Sequence, residues 1–310
     1  MGFDFSAVVA PFRMQPGLRR IATGSPQLTP NRIGDRVLRE KLAVLSGFWH
    51  QALLQAPGFD AEPALRALAE QATREHPNAF SFDGDGTFSA HRLGWSVRGD
   101  AVQPLEANVP AEIGNCLAAL PPPWRRTGLL SLAFAEDFAV IDGATARIPW
   151  LAVCLPSGWA PADKIGRHFA EVHAPVADNR MLVTAAEHLA ALVTGNDAWE
   201  RFVWTVTRHP RLHAHPDHVD PAPWPADADA AQLAARAFFR TERQTFIPLP
   251  AARQAVFTIH VELQPLTSAI GDAAQARQLH DALASMSDAV IAYRGLGPAR
   301  ERLLAWLASV

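Results

Sequence analysis

The sequence predicts an α+β domain built on a largely antiparallel sheet, and three observations lead there. Helical and extended patterns come in runs (helices, strands, helices, strands, helices) rather than in the strict alternation of a parallel sheet. Residues 240–247 and 255–263 are two extended, apolar-rich runs around a Pro-containing turn, as in a hairpin. No GxGxxG, P-loop or GxSxG pattern occurs, so nothing marks a nucleotide fold or a serine hydrolase.

Taken in order, residues 1–33 are rich in Pro, Gly and Arg and read as an extended arm packed on the domain. Asp35 can cap a helix through about residue 55, with Val37, Leu38, Leu42, Leu45 and Trp49 inward. A second helix covers 62–75, and GDGTFSAHRLGWSVRG reads as turn plus strand. Residues 110–120 are helical and stop at the Pro121-Pro122-Pro123 run. Residues 128–141 and 147–155 read as strands around Asp142-Gly143. A helix over 161–172 ends before Pro175, and another over 181–193 has Gly195 near its end. A short strand at 200–208 precedes a loop at 209–230 with many Pro, His and Asp. After the hairpin, helices over 272–290 and 298–308 close the chain, and 1–310 reads as one domain.

At 310 residues and 49% hydrophobic, the chain can bury a sizeable core. Its net charge of -3 gives no electrostatic reason to expect nucleic acid or a membrane surface as partner. Cys116 and Cys154 form no CxxC and fit a reducing compartment. The N-terminus lacks a signal-peptide pattern, and no uncharged apolar stretch approaches about 18 residues. The expected location is therefore cytoplasmic.

Three groups of residues can carry chemistry. The hairpin comes first: alternation puts Arg240, Glu242 and Gln244 on one face of its first strand, with Arg243 opposite. On its second strand Thr258, His260, Glu262 and Gln264 share a face, opposite Phe257, Ile259, Val261 and Leu263. Such a polar strip is a solvated face, an internal Arg-Glu ion pair or the lining of a ligand cavity, because buried charge needs a partner. In the second group, Ile165, Phe169 and Val172 form a helical stripe flanked by His168 and His173, with Lys164 and Arg167 turned away. Those histidines are core residues bonded to backbone, or else ligands of a metal or haem iron. The third group is the loop with His209, His213, His215 and His218, whose HxHxxH spacing suits zinc or non-haem iron. It also reads as a plain polar excursion. For acid–base work the candidate pairs are Glu136 with Asp137, expected at the surface, and Glu242 with Glu262.

Five segments together resemble the haem-binding subunit of bacterial haem-dependent oxidative N-demethylases. They are PFRMQPGLRR, LPSGWAPADKIGRHFAEVHAPV, ERFVWTV, FFRTERQTFIPLP and VFTIHVELQPL, in that order along most of the chain. The second and fourth are the specific ones. The resemblance implies a PAS-like antiparallel sheet with flanking helices and haem b in the sheet cavity. It implies oxidation of a small secondary or methylated amine by O₂, with release of formaldehyde. Electrons would come from NADPH through flavin and iron–sulfur carriers on a separate reductase. Carried onto matching positions, His173 would be the iron ligand, and Lys164 and Arg167 the propionate partners. Glu242, Arg201 and Arg240 would line the distal side, with His260 in the cofactor-binding set and, like His168, an alternative ligand. Two positions depart from the family pattern: Ala177 stands where it has a second proline and Val203 where it has Asn, which bears on substrate choice. The competing functions are a haem sensor or carrier without turnover, and a non-haem metal protein using the 209–218 loop.

Overall fold

The computed structural model describes residues 3–220 and 223–310. Its strands are β1 (Arg19–Arg20), β2 (Leu53–Gln55), β3 (Phe80–Phe82), β4 (Phe88–Ala90), β5 (Trp95–Arg98), β6 (Ala101–Pro104), β7 (Asp137–Asp142), β8 (Arg147–Ala152), β9 (Trp199–Thr207), β10 (Phe238–Leu249) and β11 (Gln254–Pro265). Seven of them form one sheet in the order β1-β9-β10-β11-β7-β8-β2, and β3-β4-β5-β6 form a second. Every strand pairing is antiparallel, as the ordering of elements predicts.

The hairpin forms as expected, closed by a turn in which Arg253 takes a left-handed φ of 51°. Its register pairs Arg240 with Leu263, Glu242 with Val261 and Gln244 with Ile259. Arg243 faces His260, and Thr241 faces Glu262. Partners in an antiparallel pair project to the same side. The polar sets of the two strands therefore lie on opposite faces of the sheet, and no single polar strip runs across the hairpin.

Two predicted elements change type. Residues 125–133 form a helix, Arg125–Ala133, where a strand was expected from 128. Leu129, Leu130, Leu132 and Ala133 are all buried, and an apolar run buried all round has no period by which strand and helix can be told apart. The helix over 161–172 shrinks to Phe169–His173. Pro161 starts only a 3-10 turn, Gly166 at φ 70° interrupts, and His168 caps what remains. Its Nδ1 accepts from the Ala170 N–H while Glu171 returns a bond to the His168 N–H, a capping box. The helices Arg36–Ala52 and Glu62–Glu75 match their expected spans closely.

Glu136 and Asp137 are 2% and 1% exposed, so the expectation that they lie at the surface is corrected. They do face opposite ways, and each has found a buried cation. Asp137 Oδ1 lies 3.0 Å from the Lys41 ammonium, which also donates to the Glu136 carbonyl at 2.5 Å. The Glu136 side chain accepts from His260 Nδ1 at 2.8 Å and from the Thr29 N–H at 2.9 Å.

The second pair predicts a pH dependence. Burial opposes charge on both groups, but their mutual hydrogen bond and attraction win: His260 is raised above 6.5 and Glu136 lowered below 4.5. A raised histidine contributes stability that is full below 6.5 and is lost as pH climbs through its folded pKa. A depressed carboxyl contributes stability that is full above 4.5 and is lost on acidification. The pair therefore stabilises most between 4.5 and 6.5. The parent's melting temperature should fall as pH rises above 6.5 and His260→Gln should flatten that fall, and thermal melts from pH 5 to 8.5 test this. An unchanged slope refutes it.

Among the described residues no helix is long and apolar enough to cross a membrane.

Candidate functional site

The site lies on the sheet face that carries Arg201, Val203, Glu242 and Gln244, with Ile259 and Val261 beside them by register. Farther along the same face Phe246 stacks on Phe257 at 4.9 Å. Against this end packs Val172 of the short helix, with Trp159, Ile165 and Trp199 at the margin. The segment that carries His173 is thus brought over the polar face of β9 and β10, although more than 60 residues separate it from β10 in sequence.

His173 ends that helix, half-buried, with its ring 4.1 Å from Phe169. Its Nδ1 lies 2.8 Å from the Phe169 carbonyl, which can only accept, so Nδ1 carries the hydrogen. Nε2 then holds a lone pair, and no described group bonds to it. Burial, together with the positive charges of Arg201 and Lys164, outweighs the Phe169 bond and pushes its pKa down to about 4. The ring is a neutral imidazole near neutral pH. Lys164 donates to the Val172 carbonyl at 2.9 Å, and burial lowers its pKa. Arg167 is exposed, and its guanidinium makes no hydrogen bond to a described residue.

The three distal candidates differ in what they are free to do. Arg240 Nε donates to Ser157 Oγ at 2.7 Å. Its terminal nitrogens reach the carbonyls of Leu155, Pro156, Arg211 and Leu212. It clamps two loops to the sheet, with all three of its guanidinium nitrogens engaged. Glu242 accepts from Ser157 at Oε1 and from Gln244 Nε2 at 2.6 Å at Oε2. Arg201 is the opposite case. Its guanidinium makes no hydrogen bond to any described residue, and its Nε is fully buried without a partner. Burial lowers its pKa against the pull of Glu242, yet a guanidinium stays charged. A buried unpartnered donor of this kind costs free energy unless something else satisfies it.

His260 stands on the other face, bound to Glu136 with Glu262 3.7 Å from its Nε2, and so apart from His173 and Arg201. Glu242 and Glu262 likewise project from opposite faces and form no carboxylate pair. His168 has given its Nδ1 to the helix cap.

His213, His215 and His218 do come together, with ring centroids 5.4 to 6.1 Å apart. One ring nitrogen of each is engaged, His213 Nδ1 with the Cys154 carbonyl, His215 Nδ1 with the Asp217 N–H and His218 Nε2 with Gln51 Oε1, while His213 Nε2 is buried without a partner. No group of three or more His, Cys, Asp or Glu among the described residues is arranged to hold a metal ion. The loop is pinned by its histidines. A separate cleft of about 290 Å³, lined by Gln55, Pro57, Leu65, Trp124 and Trp150, opens on the sheet face opposite Glu242.

Sequence reasoning passed over Ser157 and Trp199. Ser157 sits inside the LPSGW segment, but nothing in the sequence says that its hydroxyl reaches a strand 85 residues later. Trp199, two residues before Arg201 and on the same face, also has a buried N–H without a partner. Such orphans become visible only once burial is known.

Residues 60–304 match the family model described as haem-dependent oxidative N-demethylase, alpha subunit-like. That span is most of the chain and contains β3 through β11, with His173, Arg201 and Glu242 inside it. The chain belongs to the haem-dependent oxidative N-demethylase alpha-subunit-like family.

Proposed function

We propose that the chain is the haem-carrying subunit of an oxidative N-demethylase acting on a small methylated amine. Haem b would lie between the Phe169–His173 helix and the β9–β10 face of a PAS-like sheet. The observation that carries this reading is His173: its Nδ1 is pinned by a carbonyl, its Nε2 lone pair is unused, and it faces a sheet with an arginine whose buried Nε has no partner. A backbone partner on the far nitrogen is what orients a metal-binding histidine and raises its basicity. An apolar floor of Phe246, Phe257, Ile259 and Val261 with a few placed polar groups suits a porphyrin.

When bound, haem iron supplies the activation of O₂. The rest falls to the chain. Lys164 and Arg167 sit beside the His173 helix, where acidic propionates would meet them. Arg201 offers hydrogen-bond donors inside the cavity, and Glu242 offers negative charge to a protonated amine. Arg240 holds the loops that shape this side. The overall reaction balances as R₂N–CH₃ + O₂ + 2 e⁻ + 2 H⁺ → R₂NH + HCHO + H₂O. The electrons come from NADPH through flavin and iron–sulfur centres on a partner, in keeping with a family described as an alpha subunit.

Absorption spectra of purified protein, oxidised and dithionite-reduced, with a pyridine haemochrome assay, test the cofactor. Stoichiometric haem b is expected. A colourless protein that refuses added haemin ends the proposal. Formaldehyde release from a methylamine panel with a competent reductase then separates an enzyme from a haem sensor or carrier.

A further inference from the structure

We infer that Ser157 is a positioning residue that fixes Glu242 as a two-armed anionic acceptor for a protonated alkylamine, an inference that rests on the demethylase reading above. The argument is one of hydrogen counting. Arg240 Nε has a single hydrogen and gives it to Ser157 Oγ at 2.7 Å. Ser157 therefore accepts from the arginine, and its own hydrogen goes to Glu242 Oε1. Gln244 Nε2 donates to the other oxygen, Oε2, at 2.6 Å. Both carboxylate oxygens are held by donors that are themselves held. Arg240 is anchored on four carbonyls, Ser157 bridges to Ala214, and Gln244 is set by register between Arg201 and Ile259.

A buried carboxylate such as Glu242 can move protons or recognise charge. Moving protons favours a group free to change partners. Glu242 has none of that freedom. Each oxygen keeps a lone pair, and the neighbouring cation, Arg201, makes neither hydrogen bond nor ion pair with it. What remains is a fixed negative acceptor with lone pairs left for a further N–H donor. A secondary or tertiary ammonium brings both the charge and the N–H. Substrate is thus taken up as the cation, with its methyl group directed by a carboxylate that cannot swing.

The test is calorimetric titration of dimethylammonium chloride into haem-loaded protein without reductant, so that no turnover occurs. Wild type should bind. Ser157→Ala should weaken binding by about tenfold or more, as loss of a hydrogen bond to a charged group does. Ser157→Thr, which keeps the hydroxyl, should recover to within about threefold. In turnover Ser157→Ala should raise KM in step with its loss of affinity and leave kcat within about threefold. If Ser157→Ala fails to fold, Gln244→Leu removes the donor at the other oxygen and should weaken binding similarly. Unchanged affinity in Ser157→Ala overturns the inference, and so does a haem-loaded wild type that binds no ammonium. A chain that takes up no haem sinks the demethylase reading instead. The titration then runs on the haem-free protein and is judged by the same two outcomes.

Discussion

His173→Ala should purify without haem, and without the Soret band expected of the parent. Loss of an outer-shell partner alone costs roughly 10–100-fold in metal affinity, so removal of the ligand itself should cost more. The prediction is specific because neither of the two alternative ligands, His168 and His260, is equivalent. His168 spends its Nδ1 on a helix cap, and His260 is bound to Glu136 on the far face of the sheet. His173→Gly with added imidazole should regain the haem spectrum, because Phe169 and the surrounding apolar contacts remain. Full haem retention in His173→Ala, measured by haemochrome against protein concentration, would remove His173 as the ligand. His173→Ala should lose little stability in the haem-free state, since the ring is only half-buried and makes one backbone bond. A haem-free melt separates the two effects.

Lys41→Met should destabilise the fold by about 3–5 kcal/mol, the cost of leaving one member of a buried ion pair alone. Lys41 is 0% exposed and lies on the helix Arg36–Ala52 among Leu38, Val44 and Leu45. Methionine nearly matches its length, so the loss isolates charge rather than volume. Two groups are stranded, the Asp137 carboxylate and the Glu136 carbonyl. Asp137 also accepts from the Leu155 N–H at 2.6 Å, which ties β7 to the start of the 155–168 loop. Asp137→Asn in the Lys41→Met background keeps that acceptor and removes the charge. The double variant should recover much of the loss. Urea melts of the singles and the double give the coupling, and additive losses would show that the two side chains do not act as a pair.

The contrast between these two residues shows what a sequence can reveal. His173 stands in a segment whose order of residue types carries the family signal, so the chain alone singles it out as a candidate. Lys41 reads as one more charged residue on an amphipathic helix, between Glu40 and Leu42. Its burial depends on Asp137, 96 positions away. Glu136 fails for the same reason, since its partner His260 lies on the far side of the chain.

By itself the sequence determined the local elements with a clear period, namely the helices Arg36–Ala52 and Glu62–Glu75 and the β10–β11 hairpin. It also determined the family, through segments such as KIGRHFAEVHAPV and RTERQT. These are local properties: amphipathic spacing, turn residues and a fixed order of side chains. Tertiary structure alone decided which polar residues share a face of the sheet. A strand's side chains alternate, so one residue of register moves each to the other face. Register put Glu242 with Arg201 and sent His260 and Glu262 to the opposite side. It likewise decided that Arg240 is spent on carbonyls while Arg201 is left unpartnered, because a hydrogen bond depends on atoms brought within about 3 Å and not on neighbours in the chain.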